Sequence, residues 1–447
     1  MSLEQDDMEK RRQKRLEMQK KRQQEQRRMK LTLAAAAVVL VGVVAGIVAL
    51  VKSAPSSQEA QAAFAATDAT QATTESPIVK RTAAPEDTVI HIRAAGDLNI
   101  TSSVVQSGLA ASGYDFSNAF LDVASTLSNA DITLLNLEGN ICGEPYGSST
   151  ASAPREILTA LKEAGVDLIQ MANSYSIYNG LIGLNATLSQ IRAAGLEPLG
   201  AYANINDAKE GRGYTIVNVQ GVKIAFVAFT KGMGGLGMPD GSLECVNLLY
   251  EDYADKYAKV AKESITGVLK AAASEKPDIT IALLHWGSEN SDDLNKTQTQ
   301  IANLMLQNGV DVILGTHPHR VQQLEWDEKA GTFIAYSLGD FYGNATHSGT
   351  AYSIILDLEI TKNNSTGQTK VTGYDYTPIY TVKASETGTI QKVVRIHEAM
   401  EAYEGNYVDK VSSGAYDGMT YALKRIDYRV RGIYGNTDPS ETTEAAS

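Results

Sequence analysis

From Thr88 onward, amphipathic stretches that close on a glycine or a polar turn alternate with short apolar runs. The pattern recurs in DVASTLSNADITLLNLEG, LTALKEAGVDLIQMANS, LSQIRAAGLEPLGAYAN, VLKAAASEKPDITIALLHWG and LMLQNGVDVILGTHPH. Helices alternating with strands imply crossover connections, and strands that read as unbroken apolar runs imply a largely parallel sheet buried on both faces. Beyond Gly349 the grammar changes to TAYSIILDLEI and GQTKVTGYDYTPIYTV, strands with no helix between them, which predicts an antiparallel portion completing the sheets. After about Ala384, HEAMEAYE and MTYALKRIDYRVRG read as helices, and the polar end NTDPSETTEAAS reads as a disordered tail.

Upstream of Thr88 the pattern is different. Residues 31–51 (LTLAAAAVVLVGVVAGIVALV) carry no charge. As a helix they span about 30 Å at roughly 1.5 Å per residue, the thickness of a bilayer core, so they are predicted to cross a membrane. A cleaved signal peptide would have a shorter apolar core, so the length argues against one, while the Ala-rich flank leaves cleavage open. Residues 1–30 hold eleven Lys and Arg against six acids, and the positive-inside rule then leaves this basic segment in the cytosol and everything after Lys52 outside. Residues 52–87, rich in Ala, Ser, Thr and Gln, bury too little apolar surface to fold and read as a flexible linker. The predicted organisation is a basic cytoplasmic segment (1–30), a single transmembrane helix (31–51), a linker (52–87), a folded domain (88–383) and a C-terminal helical extension with a tail (384–447).

The chain of 447 residues has a net charge of −12, and the basic segment concentrates +5, leaving −17 for the rest. An acidic ectodomain repels nucleic acid, which is not expected as a partner, and it repels acidic polymers at long range, so a polyanionic substrate needs a local positive site such as metal ions. Cys142 and Cys245 are the two cysteines. An oxidising exterior permits a disulfide between them, and their spacing leaves that pairing open.

Polar residues collect at the C-terminal ends of the predicted strands, where open α/β sheets build ligand crevices. TVIHIRAA runs into Gly96-Asp97, TLLNLEG ends at Asn136-Leu137-Glu138, ALLHWG at His285-Trp286-Gly287, and VILGTHPH at His317-Pro318-His319. Two carboxylates and three imidazoles converging from four strands suit Mn, Fe or Zn, one ion or two, rather than Ca or Mg. His91 and His397 are read as structural, and His347, after GDFYGN, stands between a loop role and a cleft-lining one.

The ordered set AAGDLNI, LLNLEG, MANSYSIYNG, LLHWGSEN, GTHPHRVQQLE and YSLGDFYGN resembles the CapA family of capsule (poly-γ-glutamate) synthesis proteins, whose GD, NLE, ANNH, HWG-x-E, G-x-HPH and YSLGNF motifs come in that order. The resemblance runs from about Val89 to Lys383. That family is similar to the calcineurin-like metallophosphatases, which implies an αββα sandwich with a metal cleft. It implies Asp97, Glu138, His285, His317 and His319 as metal ligands, and Tyr175, Glu289 and His319 as candidate catalytic groups. Gln322 and Glu325 match the segment after HPH. The sequence departs from the family where Ser174 and Tyr175 replace an Asn-His pair, exchanging an amide ligand for a hydroxyl and an imidazole for a phenol that is a weaker acid at neutral pH. Asp340 stands where Asn is usual, either as a turn residue or as added charge near the site. Two functions follow from the resemblance. One is a membrane-anchored bacterial protein, its domain extracellular, acting with capsule polymer or its synthesis and export components; the other is a metal-dependent hydrolase whose Asn-His catalytic half is altered.

Overall fold

A computed structural model describes residues 86–387, 390–407 and 410–433. The predicted basic segment, membrane helix, nearly all of the linker and the polar tail lie outside the described residues. Among the described residues no helix is long and apolar enough to cross a membrane.

The chain begins one sheet with β1 (Thr88–Asn99), β2 (Ile132–Glu138), β3 (Leu168–Gln170) and β4 (Glu197–Leu199). It then builds a second sheet from β5 (Tyr214–Val219), β6 (Val222–Thr230), β7 (Ile279–His285), β8 (Val312–Thr316), β9 (Leu324–Asp327) and β10 (Thr332–Ala335). It returns to the first with β11 (Asp340–Tyr342), β12 (Tyr352–Lys362), β13 (Thr369–Val382) and β14 (Lys392–Arg395). The orders are β14-β13-β12-β1-β2-β3-β4, with β11 also paired to β1, and β5-β6-β7-β8-β10-β9. Strands β1 to β4 are mutually parallel, as are β6, β7, β8 and β10, while β12 to β14 run antiparallel as the sequence predicts.

The longer helices are α1 (Glu156–Glu163), α2 (Gly180–Ala193), α3 (Lys262–Ser274), α4 (Lys296–Gln307), α5 (Ile396–Glu404) and α6 (Ser413–Val430). The period-2 alternation of strand side chains shows how they and the sheets share the core. Ile224, Phe226 and Ala228 of β6, Ile281 and Leu283 of β7, and Val312 and Leu314 of β8 pack in one buried cluster with residues of the first sheet. The intervening Ala225, Val227, Phe229, Ala282, Leu284 and Ile313 pack in another with Ile265 and Leu269 of α3 and Ile301 and Met305 of α4. Both faces of the second sheet are therefore covered, which is why its strands read as continuous apolar runs. Ile157, Leu161, Leu184, Leu188, Met419 and Ile426 of the remaining helices join the first cluster. The result is an α/β sandwich of two sheets with helices against them, as expected.

The hairpin β5–β6 carries no helical signal and falls outside the repeating grammar. Strand β14 belongs to the segment predicted as a helical extension, yet it pairs with β13, so the first sheet draws its last strand from beyond residue 383. Cys142 and Cys245 are both free thiols.

Strand β1 changes partner midway. It pairs with β12 as far as Ala94 and with β11 from Asp97, and its register with β2 shifts between the same residues. The change requires glycine: a Cβ on Gly96 would sit 1.7 Å from the carbonyl oxygen of Gly339, to which the Asp97 amide donates at 2.9 Å. The GD and SLGD motifs are thus two sides of one close backbone approach, and it brings Asp97 beside Asp340.

Candidate metal centre

The C-terminal ends of β1, β2, β7 and β8 deliver Asp97, Glu138, His285 and, in the turn after β8, His317 and His319. Asp97, Glu138, His285 and His317 are almost wholly buried. His285 Nε2 lies 2.9 Å from Glu138 Oε1, and His319 Nε2 lies 3.6 Å from Glu138 Oε2. His319 Nδ1 is 3.6 Å from Asp97 Oδ2 and 2.8 Å from Asp340 Oδ1. Within each of three groups, Glu138–His285–His317, Asp97–Glu138–His319 and Glu289–His317–His319, ligand atoms lie within 4.8 Å of one another. The five residues named as ligands are thus gathered in one place, with Glu138 common to two of the groups.

The turn after β8 holds its two imidazoles in an unusual backbone. His317 and His319 adopt φ of 91° and 59°, a region non-glycine residues seldom occupy and one that carries strain. The His317 amide donates to Asp97 Oδ2 at 3.0 Å, and the Pro318 carbonyl accepts from the Asn290 amide at 2.9 Å, so the turn is fixed from both sides.

A second set of polar groups orients the first. Asn136 Nδ2 donates to Asp97 Oδ1 at 2.6 Å, and Asn173 Nδ2 donates to Asn136 Oδ1 at 3.1 Å and to the Leu137 carbonyl at 2.7 Å. His285 Nδ1 is 3.1 Å from Thr316 Oγ1, which leaves Nε2 facing Glu138. Asn99 Nδ2 lies 3.2 Å from both Asp340 Oδ1 and His319 Nδ1. Sequence reasoning passed over Asn99, Thr316 and the orienting role of Asn136. Asn99 and Asn136 had a signal in strand alternation, each standing two residues from a named carboxylate on the same face.

Burial sets the electrostatics. It pushes Asp97 up to about 7, reinforced by the Glu138 carboxylate, and pushes Glu138 up to about 7 as well. Burial drives His285 down to about 3 and His317 well below the usual imidazole range. Burial also disfavours the His319 cation, but Asp340, Glu138 and Asp97 outweigh it and hold His319 well above its ordinary value. Three atoms are left over: Glu138 Oε2 and both ring nitrogens of His317 are buried with no hydrogen-bond partner. An orphaned carboxylate oxygen beside an orphaned imidazole is costly in a folded protein and fits a divalent cation, to which Glu138 Oε2 and one ring nitrogen of His317 would each offer a lone pair. The mixed nitrogen and oxygen donors accord with Mn, Fe or Zn.

The remaining candidates divide. Ser174 Oγ lies 3.1 Å from His285 Nε2, so the serine occupies the edge of the centre. Tyr175 is half-buried against Tyr178, and burial, with Glu138 and Glu289 nearby, pushes its phenol up to about 12. Glu289 is exposed but reaches the His317–His319 pair. Asp340 is buried in the centre on β11, which decides between the two readings of that residue. Gln322 is a strap: its Nε2 donates to the Ser291 and Asp293 carbonyls and its Oε1 accepts from Gln298, which ties the loop carrying Glu289 to α4. Glu325 stands apart on β9 near the Tyr336 hydroxyl. His347 is exposed and in none of the ligand groups, His91 pairs with Asp357, and His397 lies in α5.

The family model described as bacterial capsule synthesis protein PGA_cap matches residues 91–345, more than half of the chain. The chain is 29% identical over 270 residues to the PGA biosynthesis protein CapA of Bacillus subtilis, a match covering 58% of this chain and 63% of that protein. It is 27% identical over 263 residues to the capsule biosynthesis protein CapA of Bacillus anthracis, covering 56% and 60% respectively. The matched region thus spans less than two thirds of either relative. Among solved structures, a calcineurin-like phosphoesterase from Bacillus subtilis aligns with a TM-score of 0.39 at 15% identity, over 77% of this chain and 99% of that one.

Proposed function

The chain belongs to the bacterial capsule synthesis PGA_cap family, and from that premise we propose that it is a membrane-anchored extracytoplasmic protein that uses a divalent-ion centre in the synthesis or export of an anionic capsule polymer of the poly-γ-glutamate type. Residues 31–51 would anchor it, with residues 1–30 in the cytosol and residues 52–87 as the spacer. The observation that carries the reading is the set of orphaned donors on His317 and Glu138 at the strand ends.

Asp97, Glu138, His285, His317 and His319 would hold the ion. When bound, it supplies Lewis-acid polarisation of an anionic oxygen. The chain's own residues supply the rest. Asn136 and Thr316 fix the orientation of Asp97 and His285, and the strained turn presents His317 and His319 toward Glu138. Such a centre gives an acidic ectodomain the local positive charge that a polyanion requires. Tyr175 keeps its proton at neutral pH and acts as a hydrogen-bond donor rather than a proton shuttle, which favours holding a substrate over cleaving it. The hydrolase reading has one observation in its favour: the exposed Glu289 stands beside the partly exposed His319 at the open side of the centre.

Deleting the chain from its host and measuring anionic surface polymer tests the proposal. Polymer is expected to fall and to be restored by the wild-type chain but not by Glu138→Gln; polymer that persists after deletion sinks it. Hydrolysis of a generic phosphodiester in Mn²⁺, with and without Ser174→Asn and Tyr175→His together, tests the hydrolase reading. General acid catalysis is typically worth about 10² to 10⁴ in rate, so a rise of that size would show that activity was lost at those two positions.

A further inference from the structure

Beyond Glu289 the same loop reaches Asp292, where three arginines converge. Arg320 Nη1, Arg425 Nη2 and Arg429 Nη2 lie 3.4, 3.3 and 2.5 Å from one oxygen, Oδ2 of Asp292. Arg320 directly follows the metal-centre residue His319, and Arg425 and Arg429 stand one turn apart on α6. The side chains of Arg425 and Arg429 are only 9% and 3% exposed.

One carboxylate facing three guanidiniums leaves two positive charges in excess in a largely buried place. The other contacts of these arginines are neutral: Arg429 Nη1 donates to the Ile433 carbonyl at 3.3 Å, and Arg425 lies over the Tyr421 ring and bonds Tyr352. The Nε atoms of Arg320, Arg425 and Arg429 are all buried without a partner. Buried charge without counter-charge is expensive, and planar guanidinium forks match the oxygens of carboxylate and phosphate. Solvent reaches the cluster, since the side chains of Arg320 and Asp292 are 21% and 19% exposed.

We infer that Arg320, Arg425 and Arg429 form an oxyanion subsite beside the metal centre, which takes a carboxylate or phosphate group of an anionic ligand and which Asp292 occupies when the ligand is absent. The subsite does not depend on the ion or on the role proposed above. A merely structural strap, pinning α6 to the loop, would share the same contacts but respond oppositely to the loss of Asp292. Asp292→Asn would weaken a strap, whereas in a subsite it removes the resident competitor.

The test is titration of the full-length chain, as purified and again after chelation, with inorganic phosphate and separately with glutarate at constant ionic strength. At least one anion is expected to bind after chelation, Arg320→Gln to weaken it about tenfold, and Asp292→Asn to tighten it several-fold. Phosphate alone would identify a phosphoester ligand and glutarate the carboxylates of a polymer. The inference is overturned if neither anion binds the chelated wild type, or if a folded Asp292→Asn variant, checked by its melting curve, binds no more tightly. Should Asp292→Asn fail to fold, Arg320→Gln at the more exposed edge decides: unchanged affinity overturns the subsite.

Discussion

The two ends of the parallel strands use the same side chain for opposite purposes. At the N-terminal ends, Asp131, Asp167, Asp278 and Asp311 each stand just before a strand. Each receives a backbone amide from its neighbour: His91 at 2.8 Å, Thr133 at 3.1 Å, Lys223 at 2.7 Å and Thr280 at 2.8 Å. Their own amides donate onward to the His91, Thr133, Lys223 and Thr280 carbonyls, so each aspartate closes a ring at the start of the sheet. At the C-terminal ends, Asp97 and Glu138 are buried deeper, crowd against each other and are pushed up to about 7. Glu138 also has an oxygen, Oε2, with no hydrogen-bond partner, 3.6 Å from His319 Nε2. A carboxylate's role in this fold thus follows from which end of the strand carries it. Backbone amides close a ring at those strand starts; at the strand ends Asp97 accepts one backbone amide and the Asn136 side chain, while Glu138 Oε2 is left among imidazoles and acids with no hydrogen-bond donor, a place that fits a cation.

Breaking the upper set has the largest expected effect. Glu138→Gln or His317→Ala should lower divalent-ion affinity by about 100-fold or more, by analogy with the 10- to 100-fold cost of losing even an outer partner, while leaving the ion-free melting temperature unchanged or higher because a buried carboxylate or imidazole without a hydrogen-bond partner is removed. Calorimetric titration with Mn²⁺ or Zn²⁺ and melting curves of the chelated protein check both. Ion affinity equal to wild type would remove these residues from the centre.

Next in size is the pH dependence of that affinity. Asp97 and Glu138 hold their protons up to about pH 7 and His319 holds one higher, so an entering cation must displace them. His285 and His317 are neutral already and release none. Affinity should therefore rise as pH climbs through about 7, with more than one proton released per ion, read from binding heats in two buffers of different ionisation enthalpy. Binding without proton release would contradict the burial argument.

The lower set predicts the reverse split. Asp311→Ala leaves the Thr280 amide unsatisfied and should cost about 1–3 kcal/mol of stability in denaturant titration, with ion affinity unchanged. The smallest effect is expected at His91, whose pairing with Asp357 is partly exposed: His91→Gln should change stability by under about 1 kcal/mol and ion affinity not at all. A loss of ion binding in either variant would dissolve the distinction between the two ends.

Much of this was legible in the chain itself. The apolar runs and their turns gave the α/β alternation, and Asp97, Glu138, His285, His317 and His319 could be named because each sits where a predicted strand stops. Local periodicity reports which face of an element is buried, not which strand lies beside which. Only the folded chain could therefore divide the strands between two sheets, seat Asp340 against His319, and place Asn99 and Thr316 as orienting partners.

The same limit hid the arginine cluster. Arg320 and the pair on α6 are more than a hundred residues apart, and nothing in their flanking sequence marks them. Residue order alone specified the alternating helices and strands and the chemistry carried at the strand ends, though not β14 or the β5–β6 hairpin, because such features depend on neighbours within a few residues. Which of those charges meet became settled only in the folded chain, because that depends on strand order and on how far burial removes them from water.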